Sequence, residues 1–291
     1  MITESFQVET LEPLQVKIDI EELVKTKVPM MQGSAARISS LLNDINVSSR
    51  NLTEAISYDP ILTARILRLA NSPIYSLQKN VATLRQAIEV VGMKSIYEIL
   101  IIGLAADSFA KEIRDSREGQ KIWEHSLAVA LVSRELGRLL GLRGIEEAFI
   151  CGLLHDIGKI LLLRADFAEY TTLLAEENEN VMLQTEIVNY GYTHAQVGSF
   201  VANRWGLPEG VCHTILNHHN PSQSGQFVVI AHLVCVADLI ANINGFGLRT
   251  SQYEFHDETD SAIMLNLSPE QMDIAWANTL DSIIEITNTF A

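Results

Sequence analysis

Apolar residues recur every three or four positions through most of this 291-residue chain. From Val28 onward this is the spacing of one face of an α-helix, and the alternating pattern of β-strands is almost absent. Helix start signals agree with it. Asp59-Pro60 offers an N-cap followed by proline in the first turn. Thr83 stands three residues before Gln86, and Thr193 three before Gln196, as in capping boxes. The sequence therefore predicts an all-α fold.

A short charged stretch, Asp115–Gly119, is the predicted boundary between two helical lobes. The predicted segments are a leader over residues 1–27, an N-terminal helical lobe over 28–115, a second helical lobe over 116–244, and an acidic loop with a C-terminal helix over 245–291. The leader looks extended and weakly packed. Farther along, we predict one surface helix over Asp166–Asn189 and a polar loop over Asn244–Asn266.

Acidic residues outnumber basic ones by 36 to 21, which gives a formal net charge of −15 at pH 7. Such a surface repels nucleic acid and anionic membranes, so we expect neither as a partner. We see no targeting segment and no apolar run of the ~20 residues that span a bilayer, and we expect a soluble, cytoplasmic protein. Cys151, Cys212 and Cys235 stand in apolar runs without metal-ligand spacing and are predicted to be buried free thiols.

One apolar stretch, Cys151–Ile160, encloses charged groups. Buried charge is costly unless it is paired or bound to a metal. Because His155 and Asp156 point about 100° apart on a helical turn, both can reach ions that lie between their directions. A carboxylate can bridge two metals, so Asp156 is the predicted bridging ligand. Gly158 is predicted to loosen or end the helix, and Lys159 to bring an ammonium group to an anion on the metals.

Seven residues at helix ends or inside apolar helices could form one site with this stretch. They are His125, His155, Asp156, His194, His218, His219 and Asp238. Five imidazoles and two carboxylates suit Fe, Mn, Zn or Ni better than Ca or Mg. The number of ligands suits a metal pair, which can activate water and hold both oxygens of a phosphoryl displacement. Asp156 and Lys159 are the predicted catalytic residues, with Lys159 stabilising the phosphate charge.

Other polar residues have simpler explanations. A single buried histidine is more often a hydrogen-bonded core residue than a ligand, and we assign His213, His232 and His256 to that class. Asp238 taken alone could be a helix cap or an ion-paired residue. The acidic run Glu176–Glu179 is predicted to be a solvated helix end.

The order and spacing of the seven ligands, together with Lys159, resemble the HD superfamily of metal-dependent phosphohydrolases. The doubled histidine is most similar to the HD-GYP branch. The first lobe is more specific, because Asp59–Tyr75, Thr83–Ile88 and Val91-Gly92 resemble the HDOD family. The resemblance runs from about Val28 to Asp238.

This resemblance implies an all-helical, two-lobe bacterial signalling protein. It implies partners in trans of the receiver, GGDEF or kinase type, and a phosphoester or nucleotide as ligand. It also implies a pair of divalent transition metals, with Fe or Mn first and Zn or Ni as alternatives. Many HDOD proteins have lost metal ligands, so the alternative is a non-catalytic protein-interaction module in which any metal is structural.

The chain also departs from HD-GYP proteins at two places. His218-His219 is followed by Asn220-Pro221, where HD-GYP proteins have the residues that read cyclic di-GMP, and Lys121 stands where members with three metals place a glutamate. The resemblance therefore implies neither cyclic di-GMP hydrolysis nor a third metal.

Overall fold

The computed structural model describes residues 19–28, 48–57, 63–64, 66–67, 70–71, 81–142, 145–176, 178–247 and 260–290. Its first helices are α1 (Ile20–Lys27), α2 (Ser49–Ser57), α3 (Leu84–Ser108), α4 (Ala110–Asp115), α5 (Arg117–Leu139), α6 (Ile145–Leu154) and α7 (Ile157–Ala165). These are followed by α8 (Phe167–Leu174), α9 (Glu179–Tyr190), α10 (His194–Arg204), α11 (Glu209–Asn217), α12 (Val228–Ile243), α13 (Asp260–Leu265) and α14 (Pro269–Phe290). The described residues contain no strand, and the all-α prediction is confirmed.

Capping residues define the helix starts as predicted. Thr83 with Gln86, and Thr193 with Gln196, each form a complete capping box, in which side chain and backbone bond reciprocally. The helix predicted to begin at Asp59-Pro60 lies largely outside the described residues. The division into four segments stays a prediction.

The central helix is α5, which packs against α6, α12 and α14. Its buried face includes Trp123, which is 1% exposed, and Leu127, which is fully buried. A single apolar core extends from Ile20 in α1 to Ile286 in α14. This arrangement places the middle of α5 beside the turn that follows α6.

Gly158 lies inside α7 and does not end a helix, so that prediction is wrong. The break falls two residues earlier, at Asp156, whose φ of −101° and ψ of 8° are not helical. A Cβ atom at position 158 would collide with the carbonyl oxygen of His194. Glycine is needed here because α7 and the start of α10 approach each other closely.

The predicted extended leader is wrong for residues 20–27, which form α1, and residues 1–18 lie outside the described residues. Asp19 caps α1 by accepting a hydrogen bond from the backbone N–H of Glu22. Ile20 and Val24 are buried, and Arg204 of α10 donates a hydrogen bond to the carbonyl oxygen of Lys25. This apolar stripe with its cap explains why the segment folds and packs.

Two further predictions are corrected. The surface helix expected over Asp166–Asn189 is two helices, α8 and α9, because Asn178 caps a new helix through its side chain. The loop expected over Asn244–Asn266 ends in a helix, α13, while residues 248–259 lie outside the described residues. Cys151 and Cys212 are buried free thiols as predicted, and Cys235 is a free thiol at intermediate exposure.

One segment, Gly225–Ile243, is long and apolar enough to cross a membrane by length and composition, which corrects the expectation that no run reaches that length. It contains α12, which packs against α5 and α6, and 44% of its most apolar window is buried inside the protein. Core helices of water-soluble proteins pass the same test, so composition alone gives little support for a membrane span.

Candidate metal centre

All seven predicted ligands lie in one neighbourhood, where five parts of the fold meet. His125 comes from α5, His155 and Asp156 from the turn between α6 and α7, His194 from the first residue of α10, His218 and His219 from the end of α11, and Asp238 from α12. Most of these side chains are buried, while those of His219 and Asp238 keep 14% and 22% of their surface exposed. The cluster therefore lies inside the helical core with one edge open to solvent.

The first half of the cluster, here named the first subsite, consists of His194, His218, His219 and the Oδ1 atom of Asp156. The three histidines offer ligand atoms within 4.8 Å of one another. Asp156 Oδ1 lies 3.4 Å from His194 Nε2 and 3.8 Å from His218 Nε2. The Nε2 atoms of His194 and His219 are only 2.8 Å apart, so a proton or a cation must lie between them to offset the repulsion of their lone pairs.

The other half, the second subsite, consists of His125, His155, Asp238 and the Oδ2 atom of Asp156. Asp156 Oδ2 lies 3.5 Å from His155 Nε2 and 3.8 Å from His125 Nε2. Asp238 Oδ1 lies 2.9 Å from His125 Nε2 and 3.8 Å from His155 Nε2. The two oxygens of Asp156 thus face different subsites, as a bridging carboxylate requires.

Backbone carbonyl groups orient three of the imidazole rings. The Nδ1 atoms of His125, His155 and His218 lie 2.8, 2.7 and 2.7 Å from the carbonyl oxygens of Phe246, Gly152 and Ile215. Because a carbonyl only accepts, each Nδ1 carries a proton. The Nε2 atoms of neutral His155 and His218 turn their lone pairs toward the cluster, whereas His125 Nε2 contacts Asp238 Oδ1. Burial also lowers the pKa of His155 and of His218, which favours the neutral form that binds metals.

His194 is held by a buried carboxylate that sequence analysis missed. Its Nδ1 atom lies 2.9 Å from both oxygens of Glu186, and Tyr170 donates a hydrogen bond of 2.7 Å to Glu186 Oε1. A carboxylate on the far nitrogen fixes the tautomer of a ligand histidine and makes its Nε2 more basic. A signal was present, because Met182, Glu186 and Tyr190 follow one another at intervals of four residues and share the buried face of α9.

Glu179 is the second acidic residue of α9 at the site. Its Oε1 atom lies 3.1 Å from His219 Nδ1, although its side chain keeps 44% of its surface exposed. Burial raises the pKa of Glu179, but the hydrogen bond to His219 lowers it by more than burial raises it, so the net shift is downward. Glu179 thus lies at a solvated helix end, as predicted, and in addition orients a histidine of the first subsite.

Lys159 is paired with the bridging carboxylate. Its Nζ atom lies 2.7 Å from Asp156 Oδ2, and both side chains are buried. Burial lowers the pKa of Lys159, but the charges of Asp156 and Asp238 raise it above its usual value. Burial raises the pKa of Asp156, while Lys159 and the surrounding imidazoles hold it well below its usual value. The pair is therefore charged at neutral pH.

Three buried atoms of the cluster have no hydrogen-bond partner among the described residues. They are His155 Nε2, His218 Nε2 and Asp156 Oδ1. A buried acceptor without a partner costs about 1–3 kcal/mol, so three such atoms in one cluster are expensive. A divalent cation in each subsite would satisfy them, and the imidazoles and carboxylates present are suitable ligands. The residues therefore fit a metal.

Two of the remaining histidines lie outside the cluster. His213 is partly exposed and lies 3.6 Å from Glu209, one turn earlier on α11. His232 is buried and its Nδ1 atom is hydrogen-bonded to Ser261. His232 is therefore a hydrogen-bonded core residue as predicted, whereas His213 is exposed and not part of the core, and His256 lies outside the described residues.

Residues 28–221 match the family model of the HDOD domain. This covers most of the chain, including the first lobe and six of the seven clustered ligands. The chain belongs to the HDOD family. The resemblance inferred from the sequence is confirmed.

Relatives of this HDOD protein have been identified in several bacteria. It is 27% identical over 198 residues to an uncharacterised protein of Treponema pallidum, covering 66% of this chain and 38% of that one. It is 26% identical over 162 residues to Ribonuclease Y of Thermus thermophilus, covering 56% of this chain and 23% of that one. The chain therefore spans well under half the length of these relatives.

A solved structure has the same fold. It is a protein of Shewanella amazonensis SB2B named "Putative phosphohydrolase", which superposes with a TM-score of 0.73 at 22% identity. The match covers 94% of this chain and 98% of the Shewanella chain. The helical arrangement described above is therefore that of a known fold across nearly its whole length.

Proposed function

We propose that this HDOD protein hydrolyses a phosphoester at a pair of divalent transition metals held by the histidine cluster. The observation that carries the proposal is the position of Asp156. Its two oxygens face two groups of imidazoles, and Oδ1 is buried without a partner among the described residues. A carboxylate placed in this way is suited to bridge two cations.

The ligands suit Fe or Mn first, and Zn or Ni as alternatives. In the proposed site, His194, His218 and His219 hold one ion, His125, His155 and Asp238 hold the other, and Asp156 binds both. Bound metals of this kind lower the pKa of water and neutralise charge on a phosphoryl group.

The chain's own residues have distinct proposed roles around the metals. Glu186 and Tyr170 fix the ring of His194 and hold its Nδ1 proton, and Glu179 does the same for His219. Lys159 keeps an ammonium group beside Asp156, where it would stabilise the negative charge of a bound phosphate. The surrounding apolar helices exclude water from every edge except that of His219 and Asp238.

The names of two related proteins support the reaction class. Ribonuclease Y is named for cleavage of RNA, and the Shewanella protein is named a phosphohydrolase. RNA itself is a poor candidate here, because a formal net charge of −15 repels a long polyanion. We therefore propose a small phosphoester or a nucleotide as substrate.

Family membership supports a cellular role as well. We propose a cytoplasmic output module for signalling, with partners of the receiver, GGDEF or kinase type that bind in trans. Such partners would act on the described helices from outside, since α5, α6 and α12 form the core around the ligands.

Asp156→Asn tests the proposal. Asparagine keeps the shape and can still accept from Lys159, but it lacks the charge that holds two cations. Protein purified without chelator and supplemented with Fe or Mn should contain metal by elemental analysis and cleave bis(p-nitrophenyl) phosphate. The variant should lose more than about 100-fold in both bound metal and turnover, since outer-shell partners alone account for 10–100-fold.

His213→Ala is the matched control, because this histidine lies outside the cluster and is partly exposed. It should change neither metal content nor turnover. Metal well below one ion per chain in the supplemented wild-type protein would contradict the proposal.

One observation favours a second function, that of a non-catalytic interaction module. Lys159 already neutralises Asp156 Oδ2, and His125 already contacts Asp238, so half of the cluster is paired without any ion. In that case a metal would only hold the ends of α10 and α11 in place and add folding free energy. Stoichiometric metal with no turnover of phosphodiesters or nucleotides would favour this function.

A further inference from the structure

The two oxygens of Asp156 have unequal surroundings. Oδ1 lies 3.4 Å from His194 Nε2 and 3.8 Å from His218 Nε2, and no hydrogen bond reaches it from the described residues. Oδ2 lies 2.7 Å from the ammonium nitrogen of Lys159. The ammonium group of Lys159 therefore occupies the oxygen that faces the second subsite, and Oδ1 has no such bond.

The histidine contacts of the two subsites differ in the same way. In the second subsite, His125 Nε2 already contacts Asp238 Oδ1 at 2.9 Å, so an incoming ion must replace that contact. In the first subsite, two nitrogen atoms, His194 Nε2 and His219 Nε2, face each other at 2.8 Å. No carboxylate lies between these two atoms, and an ion at this place would displace only the proton that offsets the repulsion of their lone pairs.

A cation entering the second subsite would also meet the charge of Lys159. Like charges a few ångströms apart inside a protein repel strongly enough to change an affinity by more than about tenfold. The lysine is buried and bonded to Asp156, so it cannot move into bulk water without breaking that bond. Among the described residues no ammonium or guanidinium group is bonded to Asp156 Oδ1, so an ion in the first subsite need not compete for that oxygen.

Resting on the function proposed above, we propose that the two subsites fill in order, and that Lys159 sets this order. The first subsite binds its ion tightly, and the second binds weakly because the ammonium of Lys159 already occupies Asp156 Oδ2. Lys159 is thus a residue that determines how many metals the protein carries at a given metal concentration, in addition to any role toward phosphate.

Titration of the metal-free, full-length protein with Mn²⁺ tests this inference, using calorimetry and the electron paramagnetic resonance signal of free Mn²⁺. Wild-type protein should show two binding events at least about tenfold apart in affinity. Lys159→Gln removes the charge and keeps a hydrogen-bond donor, and should strengthen the weaker event about tenfold or more. Lys159→Arg keeps the charge and should resemble wild type, as should Lys111→Gln, which removes a charge from the exposed surface of α4.

Two ligand variants assign the events and need no change at Lys159, so they remain informative if Lys159→Gln fails to fold. His219→Gln should abolish the tight event, and Asp238→Asn should abolish the weak one. The opposite assignment would overturn the inference, as would two equal affinities in the wild-type protein. These outcomes leave the proposed metal centre intact, whereas no Mn²⁺ binding at all would overturn the metal centre together with the inference.

Discussion

Two ionic groups of this protein differ in whether their polar atoms have hydrogen-bond partners. Between α4 and α7, Arg164 donates a hydrogen bond of 2.7 Å to Glu112 and another to the carbonyl oxygen of Ser108, and its guanidinium lies over the ring of Phe109. In the histidine cluster, three buried polar atoms have no partner in the described part of the chain. The first group is satisfied by the protein itself, as a structural ion pair is. The second leaves buried acceptors that suit a ligand.

The largest effect expected from this comparison is a loss of metal affinity at the histidine cluster. Glu186→Gln keeps a side chain that can accept the Nδ1 proton of His194, but it removes the charge that makes Nε2 basic. We expect metal affinity to fall by about 10–100-fold, which is typical for outer-shell carboxylates. Competition with a chromophoric chelator measures the affinity. Tyr170→Phe should give a smaller loss in the same direction, because it removes only the hydrogen bond to Glu186.

Glu169→Gln provides the control for this comparison. Glu169 is an exposed acid on α8, and its side chain accepts a hydrogen bond of 3.4 Å from Asn189. Its variant should bind metal as the wild type does. Unchanged affinity in Glu186→Gln would show that the buried carboxylate orients the helices only and does not act on a ligand.

The next effect is a loss of stability at the ion pair of Arg164 and Glu112. Arg164→Met should lower the free energy of unfolding by about 2 kcal/mol, because it leaves the carboxylate of Glu112 without its charged partner in a half-buried place. Urea denaturation of the metal-free protein measures this loss, and adding Glu112→Gln should recover part of it. Metal affinity should stay within threefold of wild type. A larger change would show that the ion pair of Arg164 and Glu112 is coupled to the histidine cluster.

The smallest effect is a dependence on pH. Burial raises the pKa of Glu112, but the hydrogen bonds and charge of Arg164 lower it by more than burial raises it. The pKa of Glu112 therefore lies below the usual 4.5. A carboxylate with a lowered pKa in the folded state stabilises the protein above the unfolded-state pKa and loses that effect as pH falls through the folded-state value. Wild-type protein should therefore exceed Glu112→Gln in stability by about 1 kcal/mol at pH 7.

The difference in stability between the wild-type protein and Glu112→Gln should begin to narrow as the pH falls below about 4.5. It should be lost once the pH passes the lower pKa of Glu112 in the folded protein, where the carboxylate becomes neutral like glutamine. Thermal unfolding at several pH values follows it. A difference that stays constant from pH 7 to pH 3 would mean that Glu112 stabilises the fold by packing rather than by charge.

Local sequence signals predicted the helices whose ends are fixed locally. The capping boxes at Thr83 and Thr193 begin helices at the expected residues, because the side chain and the backbone it caps are only three positions apart. The sequence also identified the residues that gather in the cluster, since histidines at helix ends beside apolar runs are unusual. Whether they bind metal stays a prediction.

Features that depend on distant contacts could not be predicted in the same way. Nothing near Gly158 indicates that α10 approaches it, so its glycine was interpreted as a helix stop. Glu179 belongs to an acidic run typical of solvent, and only the fold brings it to His219. Glu186 could have been found, because it occupies a position between Met182 and Tyr190 on the apolar stripe of α9.

At Gly158, α7 and the first turn of α10 meet backbone against backbone. No side chain separates them at this contact, so main-chain packing alone sets how far the backbone at Asp156 lies from the backbone at His194. In the proposed metal centre, these two ligands would start from backbone positions that folding has already fixed.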